Sequence, residues 1–441
     1  MVNTTAHSDA RESHIAGTLV EAFKPLMEAD PHGFRTKFRK MAADPFAFFR
    51  GSACLFYADM RDLTDHWANE QTSRVWIHGD LHAENFGTYM SSTGQLTFDI
   101  NDFDEAYLGH FSWDLRRFTT SLALMCWQKA LPEDAVRSLA RTYLSSYLDQ
   151  VKHYDDAGQT DFALHLDNTS GSIHAVLLAA RASRRTDLLD GMTVVENHER
   201  HFQDNGKTRR LEADEHAMVA RAFDDYLGTI PSDKRSEREV FYHVKDIVGS
   251  TGFGIGSAGL PAYNVLIEGY NEALENDIII SMKQGNVAAP SRVVTDEQVA
   301  SYFKHDGHRT VISQRALQVH TDTFLGYTTV DGVGFVVDEL SPYKADLRWD
   351  NLTEPDEIEP VLVDLGRATA KVHCASDEDS DQDLVTFQTE RAIMGVIEGR
   401  REEFIGDILE FSLEYAKTVR ADHALFVDAF RENRIPGVPS T

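Results

Sequence analysis

Hydrophobic residues follow helical spacing at both ends of the chain and strand spacing in two places between them. A polar tail leads into an amphipathic helix over Ile15–Met27. The aromatic-rich stretch Asp44–Met60 predicts a buried helix or a pair of helices. SRVWIHGDL reads as a short strand ending at His78, and Gln95–Ile100 as a strand after the Ser-Ser-Thr-Gly turn at 91–94. From Trp113 the period turns helical, and a second helix starts with Pro132, Glu133 and Asp134 in its first turn. Residues 160–235 read as helical or irregular. Strand signals return near Val240, around a turn holding Gly249, Gly252, Gly254, Gly256 and Gly259. NDIIISMKQG is the next strand and carries Lys283. EQVASYF and HRTVISQRALQVH are helix candidates, and DTFLGYTTVDGVGFVVDEL predicts a hairpin closed near Val330–Asp331–Gly332. VLVDLGRATAKVHCASD and, after an acidic break at Ser376–Asp383, the C-terminal region return to helix. These runs predict an α+β fold.

Length changes the picture first: 441 residues allow two or three lobes and a large core. The net charge of −28 argues against a nucleic-acid footprint, which needs a clustered basic face. A small anionic nucleotide can still bind, because local lysines, backbone N–H groups and Mg²⁺ outweigh distant charge. Cys54, Cys126 and Cys374 are too scattered for a zinc site or a disulfide framework. No run approaches the roughly 18 apolar residues of a membrane helix, and the N-terminus has no apolar signal core. The expected compartment is a reducing cytoplasm.

Candidate chemistry concentrates in VWIHGDLHAENFGTY and LTFDINDFDEAYLGH. Asp80 is followed five residues later by Asn85, and then by Asp99, Asp102 and Asp104. Phosphoryl transfer needs one carboxylate to receive the acceptor's proton, and a carboxamide and a second carboxylate for Mg²⁺. Asp80 fits the first role, Asn85 and Asp102 the others, with Asp99 and Asp104 as rivals to Asp102. His78 reads as a brace for the loop. A solvated acidic loop or a Ca²⁺ loop is the competing reading. Gly254-Ile255-Gly256-Ser257-Ala258-Gly259 is a GxGxxG match with strands on both sides, which suits a nucleotide-covering hairpin. The next strand ends in Lys283, placed to pair with phosphates. Arg50 is either a surface residue of a packing helix or a cation aimed at phosphate or a catalytic carboxylate. Asp338, Glu339 and Lys344 stand near the presumed hinge.

HGDLHAENFGTY and FDINDFDEAYLGHFSWDL resemble the catalytic and metal loops of aminoglycoside and choline kinases. The resemblance implies a catalytic base at Asp80, metal positions at Asn85 and Asp102, and a buried structural aspartate at Asp114. More closely, the chain resembles the bacterial domain-of-unknown-function 2252 family. PFAFFRG, HGDLHAENFG, FDINDFDEA, SWDLRR, GIGSAGL, the Lys283 strand, SQRALQVHTDTFLGY and LGRATAKVH carry that resemblance.

In an ordinary kinase the Gly-rich hairpin and lysine strand precede the catalytic loop. Here they follow it, and LGRATAKVHCASD resembles the helix that normally comes just before it. The expectation is a circularly permuted, protein-kinase-like two-lobed fold. Residues 1–239 and 341–441 would form a mostly helical C-lobe, and 240–340 an antiparallel-sheet N-lobe. The expected activity is ATP- and Mg²⁺-dependent transfer of the γ-phosphoryl group to a hydroxyl of a small molecule. Gly254, Gly256, Ser257, Gly259 and Lys283 would hold the nucleotide. The αC-like helix has no Glu; Gln314, Glu272 and Glu297 are the candidate replacements. That departure keeps a protein-directed kinase, an AMP transferase and a non-catalytic pseudokinase open.

Overall fold

Two Asp-Pro steps set the N-terminal architecture. The computed structural model describes residues 2–158, 162–206, 208–250, 260–378, 380 and 383–441. Helix α1 (Val2–Ala29) is followed by α2 (Pro31–Met41), capped where Asp30 accepts the Gly33 N–H at 2.8 Å. Asp44 accepts from the Ala47 N–H at 2.9 Å to start α3 (Pro45–Gly51), and α4 (Ala53–Arg61) follows. Proline at the first helical position loses no hydrogen bond, so Asp-Pro both ends one helix and begins the next. The aromatic-rich stretch is therefore a helix pair.

Two short antiparallel ladders come next. β1 (Val75–Ile77) pairs with β4 (Tyr107–Gly109), and β2 (Phe86–Met90) pairs with β3 (Leu96–Ile100). Helices α5 (Phe111–Gln128), α6 (Glu133–Ala157), α7 (Gly171–Arg181) and α8 (Arg185–Met192) lead to a hairpin of β5 (Thr193–Glu196) and β6 (Glu199–Phe202). β7 (Thr208–Arg210) and α9 (Ala213–Leu227) follow. Then come β8 (Val244–Ser250), β9 (Ala262–Ile267), β10 (Ile278–Gln284), α10 (Glu297–Tyr302), α11 (Asp306–Leu317), β11 (Gly326–Val330) and β12 (Val333–Glu339). The chain closes with α12 (Pro355–Cys374), α13 (Thr389–Ile397) and α14 (Arg401–Arg431).

The main sheet is antiparallel throughout, in the order β11-β12-β10-β9-β8-β7. Strand alternation divides its two faces. Ile278, Ile280 and Met282 of β10 pack with Val219, Phe223 and Tyr226 of α9, while Ile279 packs with Leu189 and Phe202 on the opposite face. The β11–β12 turn is Asp331-Gly332 with both φ positive, the geometry a two-residue hairpin requires. The sheet draws in β7 from a stretch that read as helical or irregular, and the helix within that stretch, α9, packs against it. β7 is too short and polar to carry an alternating apolar signal.

A much larger core joins helices from both ends of the chain. Phe38 of α2 meets Phe426 and Phe430 of α14 at ring separations of 5.4 and 5.5 Å. Arg11 of α1 bridges Asp59 of α4 and Asp422 of α14, with contacts of 2.6 to 2.9 Å. Helix α12 lies along α6, where a Cβ on Gly366 would sit 2.6 Å from the Tyr143 carbonyl oxygen. Among the described residues no helix is long and apolar enough to cross a membrane.

Asp65 ties the segment before β1 to the start of α5. It accepts hydrogen bonds from His110 and Arg116, at 3.0 and 3.3 Å, and from the Ser112 hydroxyl. Burial pushes this carboxyl up, but the His110 hydrogen bond, the Arg116 charge and the Ser112 hydroxyl together hold it at about 2.

Two predictions follow from this packing. Alanine is the better helix former than glycine by about 1 kcal/mol. Gly366→Ala should nevertheless lower the unfolding free energy, by about 1–3 kcal/mol, because overpacking forces the helices apart. Urea denaturation reads this directly, and unchanged or higher stability would show that α6 and α12 are not in such close approach. For Asp65 the folded pKa lies below the unfolded one, so its contribution is complete above about pH 4 and is lost as pH falls toward 2. Asp65→Asn should be less stable than wild type at pH 6, by about 2 kcal/mol, with the gap closing by pH 2.

Candidate active site

Strand β1 is buried at all three positions and delivers the chain into His78-Gly79-Asp80. Gly79 has φ +81°, and a Cβ there would lie 2.0 Å from the Glu105 carbonyl oxygen, so only glycine lets the two loops touch. Asp114, in the first turn of α5, accepts from the backbone N–H groups of His78 and Gly79 at 2.7 and 3.0 Å. His373 of α12 approaches the same carboxylate at 3.3 Å and is itself bound to the Tyr147 hydroxyl at 2.8 Å. Burial alone raises the Asp114 carboxyl, but His373 and the loop N–H groups bring it below its ordinary value.

His78 braces rather than reacts. Its Nε2 faces the Asn101 carbonyl oxygen at 2.8 Å and so carries the proton, which leaves Nδ1 to accept the Asp80 N–H at 3.3 Å. The ring thus pins the Asp80 loop to the acidic loop that follows β3.

Asp80 is held by a residue with no evident cue in sequence. The Nε and Nη2 of Arg117 both donate to Asp80 Oδ1, the first at 2.7 Å. The Arg117 side chain is fully buried, donates to the Phe49 carbonyl at 3.1 Å and lies 4.3 Å from the Phe49 ring centroid. Burial pushes the Asp80 carboxyl up, and the Arg117 charge and hydrogen bonds oppose it. Arg50 also lines the space around Asp80, on the side of His82 and Glu84. Its guanidinium pairs with Glu84 and donates to His82 Nε2 at 3.3 Å. Burial, then Arg50 and Arg117, keep His82 neutral, well below its ordinary pKa.

Of the three rival aspartates, Asp99 stands apart from the other two. Asp99 is 2% exposed and accepts from Lys371 of α12 at 2.5 Å, so it is already paired in the core. Asp102 is exposed, in the left-handed region at φ +59°, a conformation aspartate tolerates at sites where geometry is imposed. Burial and then the neighbouring Asp102 charge push the Asp104 carboxyl up to about 6, against Lys283 and Arg309. Asn85 donates its amide to the Asp80 carbonyl at 2.9 Å, and its side-chain oxygen takes no hydrogen bond among the described residues.

A cavity of about 500 Å³ gathers these parts. Asp80, Asp102 and Asp104 line it from the loops, Lys283 from β10, and Asp338 from β12. Arg50 and Lys344 also line it; Asn85 stands behind this wall rather than on it. Lys344 pairs with Asp338 at 2.8 Å. Burial raises the Asp338 carboxyl, but Lys344 and Lys283 bring it below its ordinary value. From α11 the wall receives Thr310 and Gln314, whereas Glu272 and Glu297 do not reach it. Gly254, Gly256, Ser257 and Gly259 lie outside the described residues; the strands flanking them, β8 and β9, are paired, with Gly249 opposite Tyr263.

Arg309 fixes the acidic loop against α11. It is buried and donates to the carbonyls of Ala106, Asp104 and Asn286 at 2.5, 2.7 and 2.7 Å. Nothing in the local sequence distinguishes it from the other arginines.

Magnesium suits this donor set. Among the described residues no cluster of three or more His, Cys, Asp or Glu side chains could hold a metal alone. Mg²⁺ bound to phosphates needs only one or two carboxylates. The Asp102 charge adds to burial in raising the Asp104 carboxyl, and a cation beside the two would relieve that.

No curated protein and no solved structure shows detectable similarity to the chain. Residues 29–429 match the family described as "Uncharacterized protein conserved in bacteria (DUF2252)". That match runs from the last residue of α1 almost to the end of α14, and the chain belongs to this family.

Proposed function

We propose that the large cavity binds ATP with Mg²⁺ and that the protein transfers the γ-phosphoryl group to a hydroxyl of a small molecule. The observation that carries this reading is one cavity lined by Asp80, Asp102 and Asp104 from the first quarter of the chain and by Lys283 from the central sheet. Phosphoryl transfer asks the protein mainly to position groups and to balance charge. Arg117 occupies Oδ1 of Asp80 and leaves Oδ2, 3.8 Å from His82 Nε2, to receive the acceptor proton. The acceptor oxygen forms the new bond to phosphorus, the bond to the β-phosphate oxygen breaks, ADP leaves, and the proton passes to Asp80. Lys283 pairs with phosphate oxygens. Asp102, with Asp104 beside it on the wall, and the carbonyl of Asn85, outside the lining, would hold Mg²⁺, which would neutralise charge on the phosphates.

The same reading extends to the architecture. The sheet of 240–340, with β7 and α9, serves as a kinase-like N-lobe, and 1–239 with 341–441 as the helical C-lobe. Helix α12 supports a permuted order: it comes far later in sequence than the loops, yet its Lys371 reaches Asp99 and its His373 reaches Asp114. Gln314 favours a second reading. The α11 wall offers Lys283 no carboxylate, and the charges around this lysine come from Asp104 and Asp338. A nucleotide seated differently, with AMP transfer to a protein, or binding without catalysis, is consistent with that exchange.

Incubation with γ- or α-labelled ATP, Mg²⁺ and a metabolite extract separates these readings. Transfer from the γ-position is expected, with Asp80→Asn reducing it by about 10²–10⁴-fold and Asp102→Asn abolishing its response to Mg²⁺. Lys283→Met should raise KM for ATP. Label arriving from the α-position selects AMP transfer. Absence of any ATP-dependent thermal shift in wild type rules out nucleotide binding. Arg117→Met should lower kcat more than it changes KM for ATP, and should shift the acid limb of the pH–rate profile; an unchanged profile removes Arg117 from the positioning of Asp80.

A further inference from the structure

The Asp80 loop also walls a second cavity, which Lys283 does not line. It is small, about 40 Å³, and shares Arg50, Asp80, Asp102 and Asp104 with the larger one. Its other charged walls are Lys37, Glu105 and Arg292. Lys37 is the unusual member. It stands on α2 at 4% exposure, with its ammonium 4.0 Å from the Phe23 ring centroid, and makes no hydrogen bond or ion pair among the described residues. Buried charges are almost always paired, because an unpaired one loses its hydration without compensation. Glu105 does not supply the partner: its carboxylate accepts from the Ala289 N–H and, at 3.3 Å, from the Asn286 amide. Burial pushes the Lys37 ammonium below its ordinary pKa, and the ionisable groups of Cys54, Glu105 and Asp80 oppose this. Arg292 donates to the Ala22 carbonyl at 3.0 Å through one nitrogen and leaves the rest of its fork at the rim.

Room and access agree with a ligand. A single water needs roughly 10–15 Å³ by this kind of measure, so the space takes a few heavy atoms, such as a carboxylate or phosphate head group, and no ring. Ala22, Cys54 and Arg292 are walls both of this cavity and of a groove of about 290 Å³ lined by Gly17, Thr18 and Ala58. The groove thus abuts the small cavity through these three residues, and Lys283 lines neither.

We propose that Lys37, with Arg50 and Arg292, forms an anion subsite for the acceptor, so that the small molecule presented to Asp80 carries a carboxylate or phosphate besides its hydroxyl. This inference rests on reading the large cavity as the ATP site. It names the acceptor as an anionic hydroxyl compound rather than a neutral sugar or an amine.

Isothermal titration calorimetry on the full chain tests it, with glycerate, glycerol 3-phosphate and inorganic phosphate as probes and glycerol as the neutral control. Wild type should bind at least one anionic probe and not glycerol. Lys37→Met should weaken that binding at least tenfold while keeping the ATP-dependent thermal shift, and should melt at a higher temperature than wild type without ligand. Arg292→Gln, a change at the exposed rim, should weaken the same probe several-fold and gives a second reading independent of the buried position. Glycerate without phosphate identifies a carboxylate acceptor, and binding of both phosphate probes a phosphorylated one. Equal binding by wild type and Lys37→Met, or no anion binding at all, overturns the subsite. An ATP shift without anion binding defeats this inference alone, whereas Lys37-dependent anion binding without an ATP shift supports the anion site and defeats the ATP reading.

Discussion

The buried carboxylate of Asp114 is the point on which the catalytic-looking geometry turns. It belongs to α5, yet it fixes two backbone N–H groups of the His78–Gly79 loop and meets His373 from α12. Three segments far apart in sequence are therefore held by one fully buried acid. Its lone pairs leave little freedom, because each unsatisfied partner would cost about 1–3 kcal/mol. With the loop fixed, His78 reaches Asn101 and Arg117, one turn along α5, reaches Asp80. The orientation of Asp80 is thus inherited from the packing of α5 against β1 and needs no bound ligand to establish it.

Electrostatics around the loop is local and opposed to the charge of the whole chain. A net charge of −28 repels anions at long range, but salt screens that field beyond about 10 Å. Inside the cleft the balance is different. Lys283, Lys344, Arg117 and Arg50 stand among Asp80, Asp102, Asp104 and Asp338. Asp80 and Asp338 have their own cations, and Asp99 is removed from the cleft by Lys371. With Arg50 taken by Glu84, Asp102 and Asp104 are left facing Lys283 alone, and a divalent cation with phosphates would complete that balance.

Which parts of this were legible in the sequence follows from the range of the interactions. The helix pair over Asp44–Met60, the strand into His78 and the Asp331-Gly332 hairpin rest on local rules of capping, alternation and turn chemistry, and each forms where those rules put it. The union of Asp80, Asp102 and Lys283 in one cavity was legible through spacing and resemblance. The removal of Asp99 from the cleft was not, since it depends on Lys371, 272 residues away. Arg117 and Arg309 were missed for the same reason: both find their partners only after folding. Lys37 sits in a polar helical sequence that reads as solvated, and only the fold buries it under Phe23. Strands β5 and β6 escaped because Val194 and Val195 are both exposed, so no alternation marks them.

The way α11 joins the sheet to the acidic loop bears on whether the site can be switched. A lysine and a glutamate exposed in a cleft form a pair that a small rotation of a helix can make or break. Here the corresponding wall carries Gln314, and the helix is fastened by Arg309. One buried guanidinium takes three carbonyls, from Asp104, Ala106 and Asn286. Moving α11 would strand that charge in the interior, at a cost of about 3–5 kcal/mol by analogy with breaking a buried ion pair. Gly307 adds a steric limit, since a Cβ there would lie 2.6 Å from the Phe335 backbone, so α11 already touches β12. The relation of Lys283 to Asp104 is therefore built into the resting fold, through the packing of α11.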